Sequence, residues 1–171
     1  MKFLIIFIYL ITTSVSYSIE TPDIKNIVIN KDPKKYENIT FKDINNKNIN
    51  LKAYKNKLII LNFWATWCAP CLEEMPSLDL LQVKKKLDNL IIFPINIGQE
   101  DVSKSKIFFE KLNIENLNIY LDPKVHLPKK FSLRGIPTTI LINKEGEVFA
   151  RIVGSIDFSD EKFISWLETF N

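Results

Sequence analysis

The chain has 171 residues, 46% of them hydrophobic and 25% charged, a composition that supports one domain with a buried core. Four glycines and eight prolines exclude a collagen-like or low-complexity chain. A formal charge of +3, with lysines scattered rather than gathered with aromatics, gives no ground for a nucleic-acid partner, and two cysteines with one histidine are too few for a structural zinc site.

Lys2 precedes an apolar run from Phe3 to Ile11, followed by the polar stretch Thr12–Ser18 with small residues at Ser16 and Ser18. This pattern predicts a signal peptide over 1–18, cut after Ser18. The alternative is an uncleaved membrane anchor. A span needs about 20 apolar residues, and this run is shorter, which weighs towards cleavage. Residues 19–38 are rich in Lys and Asn, with Pro22 and Pro33, and predict an extended arm ahead of a domain over 39–171.

Within that domain, Ile39 to Leu51 predicts a hairpin turning at Asn45-Asn46. Leu58 to Trp64 is a mostly apolar run and predicts a buried strand. A helix is expected over 69–87, with Leu72, Leu78, Leu81 and Leu87 inward and Asp79, Gln82 and Lys84–Lys86 on the wet side. Leu90 to Ile97 predicts a second buried strand in which Pro94 is awkward. A helix over 103–112, a short strand over 117–121 and a brief helix near 125–131, with Pro128 in its first turn, follow. Thr138–Asn143 and Glu147–Val153 predict strands joined at Lys144-Glu145-Gly146. The final helix starts near Ser159 and aligns Phe163, Leu167 and Phe170. Strand–helix–strand order, then a hairpin and a helix, implies an α/β fold with a mixed sheet.

The two cysteines, Cys68 and Cys71, stand in Trp67-Cys68-Ala69-Pro70-Cys71. As a structural disulfide this pair would close almost no loop and so stabilise little. The spacing suits a reversible redox pair in an oxidising compartment. Cys68 falls where a strand hands the chain to a helix N-terminus, whose free N–H groups and dipole favour a thiolate. Pro70 is tolerated in the first turn, where its missing N–H has no helical partner to lose. Cys71 follows one turn along the same face. The chemistry expected is attack by Cys68 on a partner disulfide, then resolution of the mixed disulfide by Cys71. Spacing alone leaves the direction open, between reductant and oxidant.

The segment Ile60-Leu61-Asn62-Phe63-Trp64-Ala65-Thr66-Trp67-Cys68-Ala69-Pro70-Cys71 resembles the active-site region of the thioredoxin superfamily. Pro76 matches that family's helix proline, and Arg134-Gly135-Ile136-Pro137-Thr138-Thr139 followed by Glu145-Gly146-Glu147-Val148 matches its cis-proline loop and terminal hairpin. The match spans 39–171. Cys71-Leu72-Glu73-Glu74-Met75-Pro76, the paired threonines after Pro137, the N-terminal hairpin and the extra helix–strand segment near 103–121 are most similar to the TlpA/ResA branch of exported thiol–disulfide oxidoreductases.

This resemblance implies a three-layer sandwich with a mixed central sheet, an N-terminal hairpin extension and a central helix–strand insert. It implies an exported reductase of partner-protein disulfides, acting in cytochrome c maturation or respiratory copper-site assembly. The expected place is the bacterial periplasm or the outer face of the cytoplasmic membrane. Apocytochrome-like or copper-site proteins are the implied substrates, and a membrane thiol carrier the implied electron donor. The protein is expected to be a monomer, without a resident metal and without a cofactor beyond the Cys68–Cys71 pair. Pro137 is expected cis, which would set Ile136 and Thr138 opposite Cys68 for an extended substrate. Trp67, Ala69 and Pro70 are expected to share that docking surface. The missing glycine at Asn45-Asn46 puts the turn geometry in question.

Glu74 lies one turn beyond Cys71, where spacing alone leaves an ordinary exposed helix glutamate equally open; the resemblance implies a glutamate here that manages the thiol proton, and half-burial under Cys71 would raise its pKa by desolvation and fit it to that exchange. Asn62 stands where many thioredoxins carry a buried acid. Trp64 and Trp166 read as core. His126 reads as a surface or structural histidine rather than a third copper ligand. Two further functions remain open: Cu(I) binding and transfer through the same thiolates, with Met75 or His126 assisting, and, more weakly, peroxidase chemistry, against which Ala65 occupies the position of the expected threonine.

Overall fold

The computed structural model describes residues 24–171. The leader expected over 1–18 and the start of the expected arm lie outside the described residues. Among the described residues, eight strands form one mixed sheet: β1 (Ile27–Lys35), β2 (Thr40–Asp43), β3 (Asn48–Asn50), β4 (Leu58–Trp64), β5 (Leu90–Asn96), β6 (Tyr120–Leu121), β7 (Thr138–Ile142) and β8 (Glu147–Val153). Their spatial order is β1-β8-β7-β4-β5-β6-β2-β3. β4, β5 and β6 run parallel, and the remaining pairings are antiparallel. The helices are α1 (Ala69–Gln82), α2 (Val102–Lys111), α3 (His126–Lys130) and α4 (Glu161–Glu168). This is a thioredoxin-like fold, with the hairpin β2–β3 and the α2–β6 segment added to it.

Every residue of β4 is buried, as a central strand covered on both faces requires. Alternation along the strand divides its side chains. Leu58, Ile60 and Trp64 join Met75, Leu78, Leu81, Phe108 and Phe163 beneath α1, α2 and α4. Ile59, Leu61 and Phe63 join Phe93, Ile140, Leu127 and Phe131 on the other face. Asn62, of the first set's parity, therefore faces α1, which matters for the site.

Several expectations need correction. The helix expected to reach residue 87 stops at Gln82. The buried series Cys71, Glu74, Met75, Leu78, Leu81 would next carry Lys85 into the core, so the chain breaks at Val83. A short 3-10 turn, Lys85–Leu87, then buries Leu87 while the lysines stay wet. Asp79, expected on the wet side, is 5% exposed. Its carboxylate accepts the backbone N–H groups of Glu115, Asn116 and Leu117 and the Asn116 amide. The strand expected over 117–121 is reduced to Tyr120–Leu121.

Within the described part of the segment expected as an arm, the chain from Ile27 is an edge strand of the sheet, antiparallel to β8 and irregular between Ile29 and Lys34. Ile27 and Ile29 rest against the core, and Pro33 is tolerable because one side of β1 has no ladder partner. Pro94 sits in β5 just before pairing with β6 begins at Ile95, so at the proline that side of the strand is an edge. The β2–β3 turn solves its lack of glycine with Asn46 at φ 63° and with Asp43 Oδ1 accepting from the N–H groups of Asn45 and Lys47. Asparagine tolerates this left-handed conformation.

Candidate active site

The end of β4 delivers Cys68 to the N-cap of α1, in extended conformation at φ −87° and ψ 102°. The backbone N–H groups of Cys71 and Leu72 donate to the Cys68 carbonyl at 3.1 and 3.3 Å, which winds the first turn over the cysteine. No acidic side chain lies in that turn, so the positive end of the helix is left for the sulfur. Cys68 and Cys71 form a disulfide, S–S 2.11 Å and Cα–Cα 5.3 Å. Cys71 is fully buried and Cys68 keeps 4% exposure. Trp67 stands out beside them at 69% exposure, and Ala69 and Pro70 are exposed as well.

The loop before β7 meets the same end of the sheet, because Thr138 is in register with Phe63 near the end of β4. The Ile136–Pro137 peptide is cis. Thr138 Oγ1 donates to the Gly135 carbonyl at 2.7 Å, and the Pro137 carbonyl accepts from Gly154 N–H at 2.9 Å. Ile136 is half-buried and packs against both core clusters. The residues singled out from sequence thus fall on three converging pieces: the turn before α1, the start of α1, and the loop into β7.

Glu74 is neither an exposed helix glutamate nor half-buried: it lies in the interior at 1% exposure. Asn62 Nδ2 donates to its Oε1 at 2.8 Å and to Thr139 Oγ1 at 3.0 Å. Oε2 lacks a partner in bonding geometry, although the backbone N–H of Ile156 faces the carboxyl. Burial pushes the Glu74 carboxyl up to about 7, with the Asn62 amide and Ile156 N–H partly opposing that rise. A shallow groove of about 500 Å³ is lined by Glu73, Glu74, Ser77, Leu80, Ser155 and Ile156.

Trp64 and Trp166 are core residues. His126 Nδ1 lies 2.7 Å from Asp122 Oδ1, and among the described residues no three His, Cys, Asp or Glu side chains are grouped to hold a metal. Among the described residues, no helix is long and apolar enough to cross a membrane. One polar contact at the site has no counterpart in the sequence reading: Glu100, from the loop after β5, holds the backbone N–H and hydroxyl of Thr66. Its partner lies in a different element, so no local spacing announces it.

Comparison with known proteins agrees with this fold. The family model described as Redoxin matches residues 22–162. The thiol-disulfide oxidoreductase ResA of Bacillus thuringiensis subsp. konkukian is 32% identical over 121 residues, covering 71% of this chain and 69% of its own. Among solved structures, a DsbF homologue from Corynebacterium diphtheriae superposes with TM-score 0.70 at 21% identity, over 88% of this chain and 96% of that one. The exposed lipoprotein thioredoxin of Streptococcus pneumoniae superposes with TM-score 0.65 at 25% identity, over 77% and 98% respectively.

Proposed function

This chain belongs to the Redoxin family and is a thiol–disulfide oxidoreductase of the ResA type, and we propose that within that class it is an exported dithiol reductase of partner-protein disulfides. The observation that carries this reading is the asymmetry of the pair. Cys68 is at a helix N-terminus with access to solvent, Cys71 is sealed beneath it, and a buried carboxyl titrating near neutrality lies one turn below.

In the reduced protein the Cys68 thiolate attacks one sulfur of a partner disulfide. A mixed disulfide forms and one partner thiolate leaves. Cys71 then gives its proton to the Glu74 carboxylate and attacks the Cys68 sulfur. The second partner thiolate departs and the Cys68–Cys71 disulfide is restored, with two electrons passed to the partner. An acid held near pH 7 suits that exchange because it is neither fully charged nor fully protonated at working pH. An extended partner segment would lie along Ile136, Pro137 and Thr138, with Trp67, Ala69 and Pro70 forming the other wall.

Export is supported by the leader-like sequence at 1–18 and by a cysteine usage limited to this one pair. In the family resemblance the substrates are cytochrome-type or copper-site proteins, re-reduction comes from a membrane thiol carrier, and the protein works as a monomer outside the cytoplasm. Cu(I) transfer by the same two thiolates is the second reading; among the described residues no group of three His, Cys, Asp or Glu side chains supports it.

The test is capture with Cys71→Ser, which should accumulate mixed disulfides through Cys68 with exported thiol proteins identifiable by mass spectrometry. A reduction potential measured against glutathione should be strongly negative. An oxidising potential would reverse the direction of transfer. No captured partner together with stoichiometric Cu(I) binding would favour the copper reading.

A further inference from the structure

The turn that presents Cys68 is held from outside by another element. After β5 the chain runs through Ile97, Gly98, Gln99 and Glu100 before entering α2. Ile97 N–H donates to the Trp64 carbonyl at 3.0 Å, which lays this loop against the end of β4. Gly98 N–H donates to Asn96 Oδ1 at 2.6 Å, and the Asn96 amide is anchored on the buried Ser105 hydroxyl at 2.9 Å. Gln99 takes a left-handed φ of 56°. The result turns Glu100 back. Its Oε1 accepts the Thr66 backbone N–H at 3.0 Å and its Oε2 accepts the Thr66 hydroxyl. Thr66 lies inside the turn closed by Cys68 N–H on the Ala65 carbonyl at 3.1 Å.

Gly98 keeps the room this contact needs. A Cβ there would stand 2.3 Å from Glu100 Oε1 and 3.0 Å from the Ala65 Cβ, so a side chain at 98 and the Glu100 carboxylate compete for one space. Other titratable groups on the converging elements are engaged elsewhere or face water. Glu74 is deep in the core on Asn62, and Glu73 and Arg134 are exposed. Asp101 caps α2 through Ser103 N–H, and Asp157 accepts from Ser159. Glu100 is the carboxylate bonded to the turn itself.

We propose that Glu100 is a positioning residue for Cys68: it fixes the Ala65–Cys68 turn through Thr66 and sets a negative charge at the foot of that turn. The charge opposes the positive end of α1. It keeps the Cys68 thiolate more basic than the helix alone would, and a more basic thiolate is the stronger nucleophile and the stronger reductant. This inference rests on Cys68 being the attacking sulfur.

The experiment measures iodoacetamide labelling of Cys68 in the fully reduced protein as a function of pH, located by mass spectrometry, beside the reduction potential. Glu100→Gln keeps an acceptor for Thr66 and removes the charge. The midpoint of its labelling profile should fall by roughly half a pH unit or more, the size expected of one charge in partial contact with solvent, and its potential should become less negative. Glu100→Ala should show the same fall, Gly98→Ala, which displaces the carboxylate but keeps its charge, a smaller fall in the same direction, and both should reduce a partner disulfide severalfold more slowly. A midpoint in Glu100→Gln unmoved or raised relative to the parent overturns the proposal, whatever happens to thermal stability. If Cys68 of the parent is not labelled at all, it is the oxidoreductase mechanism that fails.

Discussion

Glu74 and Asp79 are both buried on α1, at 1% and 5% exposure, but the two halves of the helix treat their carboxylates differently. Asp79 receives three backbone N–H groups and one amide from the 115–117 segment, so both its oxygens are satisfied. Glu74 receives the Asn62 amide on one oxygen, the other lacks a partner in bonding geometry, and burial holds its pKa near 7. The supply of donors differs: one carboxylate is a fully bonded structural peg, and the other, short of donors, carries the raised pKa. Here the under-supplied one lies beneath the disulfide, and the satisfied one pins the far half of the helix to the loop before β6.

The largest effect expected is on the peg. Asp79→Ala should cost about 4 kcal/mol in urea unfolding, from four hydrogen bonds at a net value near 1 kcal/mol each. The thiol chemistry of the molecules that remain folded should be unchanged. A loss below about 1 kcal/mol would mean that water replaces the carboxylate easily, and the comparison would break.

Next comes Glu74→Gln. Because the folded pKa of Glu74 is raised from 4.5 to about 7, the folded state holds a proton that the unfolded chain has lost. Stability should fall as pH rises from 4.5 to 7 and level off above, a total of up to about 3 kcal/mol. Gln cannot titrate, so the variant should match the parent at pH 4.5 and exceed it at pH 8 by that amount. Parallel pH–stability curves for the two proteins would contradict the raised pKa. The smallest effect belongs to Asn62→Ala, which removes the bond that lowers the Glu74 pKa. The carboxyl midpoint, read by NMR of the Glu74 side chain, should move above 7 by less than one unit, equivalent to about 1 kcal/mol or less. A midpoint that falls would remove Asn62 as a donor to the charged form.

Much of this architecture is local and so was legible in the sequence. Leu58–Trp64 is apolar without a break, and the observed strand has the expected limits. The Cys68–Cys71 spacing needs nothing beyond one helical turn. What escaped depends on distant partners. Asp79 looks like a wet helix position until the N–H groups of residues 115–117 are folded onto it. The depth of Glu74 is set by Asn62 on β4 and by the chain at Ile156 beyond β8. β1 has too many polar residues to read as a strand, and only its pairing with β8 makes it one. Glu100 carries no motif, and its function at the site exists only because the loop after β5 turns back on Thr66.

The unequal roles of the two sulfurs are tested most directly with single-sulfur variants and an aromatic disulfide reagent. Reduced Cys71→Ser should release one equivalent of aromatic thiol and keep the mixed disulfide at Cys68, while Cys68→Ser should react at least about tenfold more slowly, since the buried sulfur has neither the helix N-terminus nor access. Equal rates, or faster reaction through Cys71, would contradict the assignment of Cys68 as the attacking sulfur.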